Sequence, residues 1–127
     1  MIHEEIVTFE VAKLAKEKGF NVPTIRYYLI DTVGWVKTAI YNNWNDSTIR
    51  YSAPTQSLLQ RWLREERGII VEVFMDDDSN MPLTYNIHQY KDWNWECVCH
   101  HHGNYYAVTD WELCLEDALK YALEKII

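Results

Sequence analysis

Three stretches of the chain repeat their apolar residues at helical spacing, and the stretches between them alternate as strands do. The first predicts a helix over Thr8–Lys18, with Thr8 able to cap the opening amides and Glu10 at the positive end of the dipole. Phe9, Val11, Ala12, Leu14 and Ala15 make its apolar stripe, Lys13, Lys16 and Glu17 face the other way, and Gly19 followed by Phe20 marks the end. The second lies in SAPTQSLLQRWLREERG. Pro54 is tolerated only at a helix entrance, which places the start near Ser52–Thr55, and Gly68 closes it. Leu58, Leu59, Trp62 and Leu63 share one face of this helix, opposite Arg61, Arg64 and Glu65. In the third, Thr109 and Glu112 have the spacing of a capping box. Trp111, Leu115, Ala118, Leu119, Ala122, Leu123 and Ile126 form its inward stripe.

Ile25–Ile30 and Trp35–Tyr41 read as strands about a turn at Asp31–Gly34, and Asn42–Arg50 reads as loop. Ile69–Met75 is the strongest strand pattern and pairs with Leu83–Tyr90 across the turn-forming run DDDSNMP. Trp93–Cys99 and Tyr105–Val108 flank Gly103–Asn104 as a further hairpin. The expectation is an α+β, two-layer fold, an antiparallel sheet of about four strands with three helices packed against it. A single domain over residues 1–127 is expected, since two cores at half this length would each be marginal.

Composition changes the picture in two places. The aromatic share is 14%, with six Trp and nine Tyr, more than a core of this size comfortably hides. A formal net charge of −7 repels phosphate backbones, so direct nucleic-acid binding is not expected. No apolar run approaches a membrane span, and three cysteines do not make a disulfide framework, so the expected compartment is cytoplasmic and no membrane partner is expected.

Candidate chemistry is sparse. CVCHHHG, residues 97–103, holds soft zinc ligands in Cys97, Cys99, His100 and His102, with His88 and His3 as further imidazoles. On a regular strand Cys97 and Cys99 share one face and His100 takes the other, so the ligands diverge; the competing reading makes the cysteines small buried apolar groups. Asp76–Asp78 with Asn80 imitates the opening of a calcium loop, but Met81 and Ile87 stand where that loop needs Gly and Glu. No nucleophile elbow or phosphate-binding glycine loop is present, and no cofactor is implied. The run YKDWNW, Tyr90–Trp95, together with Trp44, Tyr105 and Tyr106, suits a protein-binding face centred on Trp93, Trp95 and Tyr105. Against it stands the plainer reading in which Trp93 and Trp95 pack side by side beneath a helix. Gln56 and Arg64 are expected to project from the polar side of the second helix and are further binding candidates.

Taken together, VTFEVAKLAKEKGF, SAPTQSLLQRWLREERGIIVEV and TDWELCLEDALKYALEKII resemble a widespread group of small uncharacterised proteins of phage, prophage and gut-bacterial genomes. The resemblance rests most on the APTQSLLQRWLRE-like central helix and leaves Tyr85–Tyr106 without a pattern. It implies no catalytic residue. The expected function is a small non-enzymatic binding or adaptor protein of phage or mobile-element origin, acting on an unknown protein partner. Two alternatives come from other classes, a metal-dependent or hydrolytic enzyme using Cys97–His102 and an acidic nucleic-acid mimic.

Overall fold

A computed structural model describes residues 4–31, 35–76, 80–100 and 104–127. The chain forms two compact units, Met1–Trp62 and Leu63–Ile127.

The first unit opens with α1 (Phe9–Glu17). Thr8 caps it as its spacing predicts, its Oγ1 accepting from the Val11 amide at 3.3 Å. At the far end Gly19 takes φ 93°, a left-handed conformation that costs glycine nothing. This turn lets the Phe20 amide donate to the Ala15 carbonyl at 2.9 Å and the Gly19 amide to Lys16 at 3.1 Å, the paired bonds of a Schellman end. Phe20 is thereby carried into the core, where its ring meets Trp62 edge-on at 5.4 Å. The helix is held on its sheet by Phe9, which packs edge-on against Tyr28 at 5.6 Å and Tyr51 at 5.4 Å.

That sheet places β1 (Thr24–Leu29) between β2 (Val36–Asn42) and β3 (Arg50–Ser52), antiparallel to both. β3 lies at the end of what reads in sequence as a loop. It is set up by polar side chains that leave no hydropathy pattern. Asn45 accepts from the Ser52 amide at 2.7 Å and donates to the Phe20 carbonyl at 2.8 Å, while Trp44 Nε1 donates to the Thr24 carbonyl at 2.9 Å.

With Ser52 in a strand, α2 (Gln56–Arg67) starts later than its sequence suggests, and Thr55 caps it by accepting from the Leu58 amide at 3.2 Å. Gln56 does not project outward. Residues 5–7 lie across the helix entrance, Ile6 bridging Thr55 and the Gln56 amide donating to the Glu5 carbonyl at 2.8 Å, which leaves Gln56 only 4% exposed. Arg64, by contrast, is exposed as expected.

In the second unit Gly68 ends α2 at φ 63°. β4 (Ile69–Met75) and β5 (Leu83–Lys91) pair in unbroken antiparallel register from Ile69↔Gln89 to Met75↔Leu83, and β6 (Asn94–His100) pairs with the other edge of β5. α3 (Trp111–Tyr121) packs on β4 and β5 through Cys114, Leu115, Ala118 and Leu119, and a π-helical turn at Ala122–Ile126 continues it with Ala122 and Leu123 buried. The helix begins one residue too late for the Thr109–Glu112 capping box. Asp110 is its N-cap without a side-chain bond, Trp111 is exposed rather than inward, and Ile126 is half-buried. Nor is Tyr105–Val108 a strand. Tyr106 exchanges backbone bonds of 3.0 and 2.8 Å with Leu83 as an isolated bridge, and Val108–Asp110 coil into a 3-10 turn.

The fold is therefore α+β with three α-helices among the described residues. Its strands form two three-stranded antiparallel sheets instead of one sheet of about four. β3 completes the first and β6 the second. Because Leu119 is fully buried against the second sheet, Leu119→Ala is expected to cost about 2–5 kcal/mol, seen as a lower denaturant midpoint at unchanged slope.

Candidate functional site

Along β5 the side chains alternate, Leu83, Tyr85 and Ile87 entering the core while Asn86 and His88 are half-buried on the other face and Tyr90 is exposed. Tyr90 is anchored where β5 passes the end of α2, its amide donating to the Gly68 carbonyl at 2.8 Å. Gly68 is called for by its left-handed backbone at φ 63° rather than by space, since a Cβ there would meet Tyr90 Cβ at an ordinary 3.4 Å.

The strand then reverses in two residues. Asp92 and Trp93 have φ 52° and 66°, and Lys91 pairs with Asn94 across the turn. Two successive left-handed residues match the twist of a tight hairpin, and Asn-Gly is the usual solution because a bulky residue there costs about 1–2 kcal/mol. Here Trp93 occupies the position usually given to glycine. Trp93 is 89% exposed and its ring meets Tyr90 edge-on at 6.5 Å, while Tyr90 also packs at 5.2 Å on Trp95, itself 49% exposed. Tyr90 thus joins the two tryptophans into one aromatic cluster at the hairpin tip, with Lys91, Asp92 and Glu96 exposed around it. Neither tryptophan packs beneath a helix.

The other candidates fall elsewhere. Tyr105 lies at the opposite end of the sheet, where its hydroxyl donates to Asp76 at 3.1 Å. Trp44 packs on Tyr27 in the first unit at 4.7 Å, and Tyr106 is buried. His3, Asp77, Asp78 and His102 lie outside the described residues.

Cys97 and Cys99 do not share a face. The register shifts between Ile87 and His88, so Val98 is an extra residue in β6, Cys97 stands opposite His88, and Cys99 stands opposite Ile87. Cross-strand partners share a face, which leaves Cys97 exposed beside the half-buried His88 and puts Cys99 in the core. Regular alternation misses this bulge. Among the described residues no three His, Cys, Asp or Glu side chains converge as a metal site.

A polar depression of about 230 Å³ lies between α3 and β5, lined by Tyr85, Asn104, Asp117, Lys120, Tyr121 and Glu124. Beside it the Tyr106 hydroxyl donates to Asp117 at 2.5 Å. Burial holds the Tyr85 and Tyr106 phenols well above the ordinary range, and for Tyr106 the bond to Asp117 adds to it. Burial also pushes the Cys114 thiol up to about 11, with the Asp117 charge adding to it. At neutral pH these three groups hold their protons.

The chain matches no protein-family model, no curated protein and no solved structure.

Two outcomes follow from this geometry. Trp93→Gly relieves the left-handed strain while giving up a ring contact, so the fold should be unchanged or up to about 1 kcal/mol more stable in denaturant melts. In thiol titration at neutral pH, Cys97 should react in the native chain, whereas Cys99 and Cys114 should react only after unfolding.

Proposed function

We propose that the chain is a small non-enzymatic binding protein acting through protein–protein contacts, with Trp93 as the anchor of its binding surface. One observation carries the reading. A tryptophan occupies a left-handed turn position that disfavours it, and the residue stays 89% exposed. Neither feature stabilises the folded chain, whereas burial in a partner would make use of both. Trp and Tyr are the side chains that most often dominate binding energy, because a stiff ring gives a large contact area at little entropic cost.

The charge around the tip favours a protein over a nucleic acid. Aromatic platforms that stack bases sit in strongly basic grooves, but Lys91 is flanked by Asp92 and Glu96 on a chain of net charge −7. The resemblance to small phage and gut-bacterial proteins adds an origin among mobile elements, where an adaptor that occupies a host protein is a natural role.

Affinity capture from host lysate, run side by side with wild type, Trp93→Gly and Trp95→Ala, tests the proposal. The expected result is a partner retained by wild type and lost, or weakened at least about tenfold, by both variants while their melts stay native. A partner that binds all three equally would remove the tip from the function.

A further inference from the structure

The acidic charge of the chain is unevenly placed. Leu63–Ile127 holds thirteen of the nineteen Asp and Glu and only five of the twelve Lys and Arg, whereas Met1–Trp62 holds six acids and seven bases. The three strands of the first sheet carry Arg26, Lys37 and Arg50 and no acid at all. Exposed charges are screened within about 8 Å at physiological salt, so a ligand at this sheet meets its local charge rather than the net −7 of the chain.

Register puts two of these cations on one face. Tyr27 pairs with Lys37 on one side and Ser52 on the other, and Leu29 pairs with Arg50. Cross-strand partners share a face, so Lys37, Tyr27, Leu29 and Arg50 lie opposite the face on which Tyr28 and Tyr51 receive Phe9 of α1. On this outer face Arg50 Cζ sits over the Tyr27 ring at 5.2 Å and over the Trp44 ring at 5.6 Å, the two rings being 4.7 Å apart. Contact with ring faces uses none of the guanidinium N–H groups, which stay available to an acceptor in the guanidinium plane. The chain offers little to them. Nη1 donates to Ser47 Oγ at 3.3 Å, Nε is enclosed without an acceptor, and among the described residues no carboxylate pairs with Arg50 or Lys37. A cation drawn partly out of water ordinarily gains a carboxylate in return, and half-buried Arg50 has none.

We propose that this face binds an acidic segment of a partner protein, one carboxylate meeting the outer N–H groups of Arg50 and a second meeting Lys37. Charge complementarity selects the occupant. The two cations stand on the outer strands of the sheet, about 10 Å apart at the backbone, and acids at alternate positions of an extended segment are about 7 Å apart, a difference that long side chains close. The stacked guanidinium is already held in place, so a charge-assisted bond to it costs little ordering. A nucleic acid fits less well. It brings a charge at every phosphate to a face with two cations, and its bases find the Tyr27 and Trp44 rings covered by Arg50. The face shares no residue with the aromatic tip, so the two proposals stand or fall separately.

Fluorescence anisotropy of a dye-labelled hexaglutamate peptide, titrated with the full chain at low ionic strength, tests the site. The expected result is saturable binding that added salt weakens and that Trp93→Gly leaves unchanged. Arg50→Lys, which keeps the charge but loses the planar fork, should weaken it about tenfold or more, as should Lys37→Gln. Lys37 is exposed and makes no ion pair among the described residues, so its variant keeps the native melt and carries the test even if Arg50→Lys loosens the sheet. Absence of saturable binding, binding indifferent to Lys37→Gln, or binding lost in Trp93→Gly would overturn the proposal. So would tighter binding of a labelled thymidine hexanucleotide, or displacement of the peptide by an equal concentration of inorganic phosphate.

Discussion

Two left-handed residues between β5 and β6 govern where the side chains of the second sheet's outer edge point. With only Asp92 and Trp93 in the turn, Lys91 must face Asn94 and Tyr90 must face Trp95. A slip of one residue would exchange the faces of β6 and bury Trp95 or expel Cys99. The bulge at Val98 performs that exchange deliberately, halfway along the strand. Before it, Trp95 and Cys97 belong to the exposed face; after it, Cys99 rather than Val98 packs opposite Ile87. One tight turn and one extra residue thus separate a solvent-facing aromatic tip from a sheet face that receives α3.

This division explains which parts of the molecule are legible in sequence. α1, β4, β5 and the body of α3 announce themselves through apolar periodicity, because each buries one face over most of its length. β3 does not, since Asn45 and Trp44 organise it through bonds to backbone atoms that periodicity cannot register. The Asp92–Trp93 turn lacks glycine, so the reversal falls inside what reads as a strand start. Gln56 looks outward from its place beside a polar helix face, and only the crossing of residues 5–7 buries it. At the candidate site, Trp93 and Trp95 are legible as residues, whereas their exposure, and the role of Tyr90 in joining them, depend on the turn.

The aromatic excess resolves into two populations with different work to do. Phe20, Trp62, Tyr28 and Tyr85 fill the cores, with Tyr28 donating its hydroxyl to the Val7 carbonyl at 2.6 Å. Tyr41 and Trp95 on strands, Trp35 just before β2 and Trp93 in the hairpin turn remain at the surface. The buried phenols and thiol around Asp117, all protonated at neutral pH, serve packing better than chemistry. The proposed binding role rests on the exposed rings of this second population.

That account depends on the tight reversal at Asp92–Trp93. Proton NMR of the intact chain addresses it directly, through the cross-strand contacts of β5 and β6 and the neighbours of the Trp93 ring. Backbone contacts linking Lys91 with Asn94 and Tyr90 with Trp95, and indole protons near Tyr90 alone, are the predicted pattern. Indole contacts to core methyl groups, or a longer loop with a shifted pairing, would contradict it.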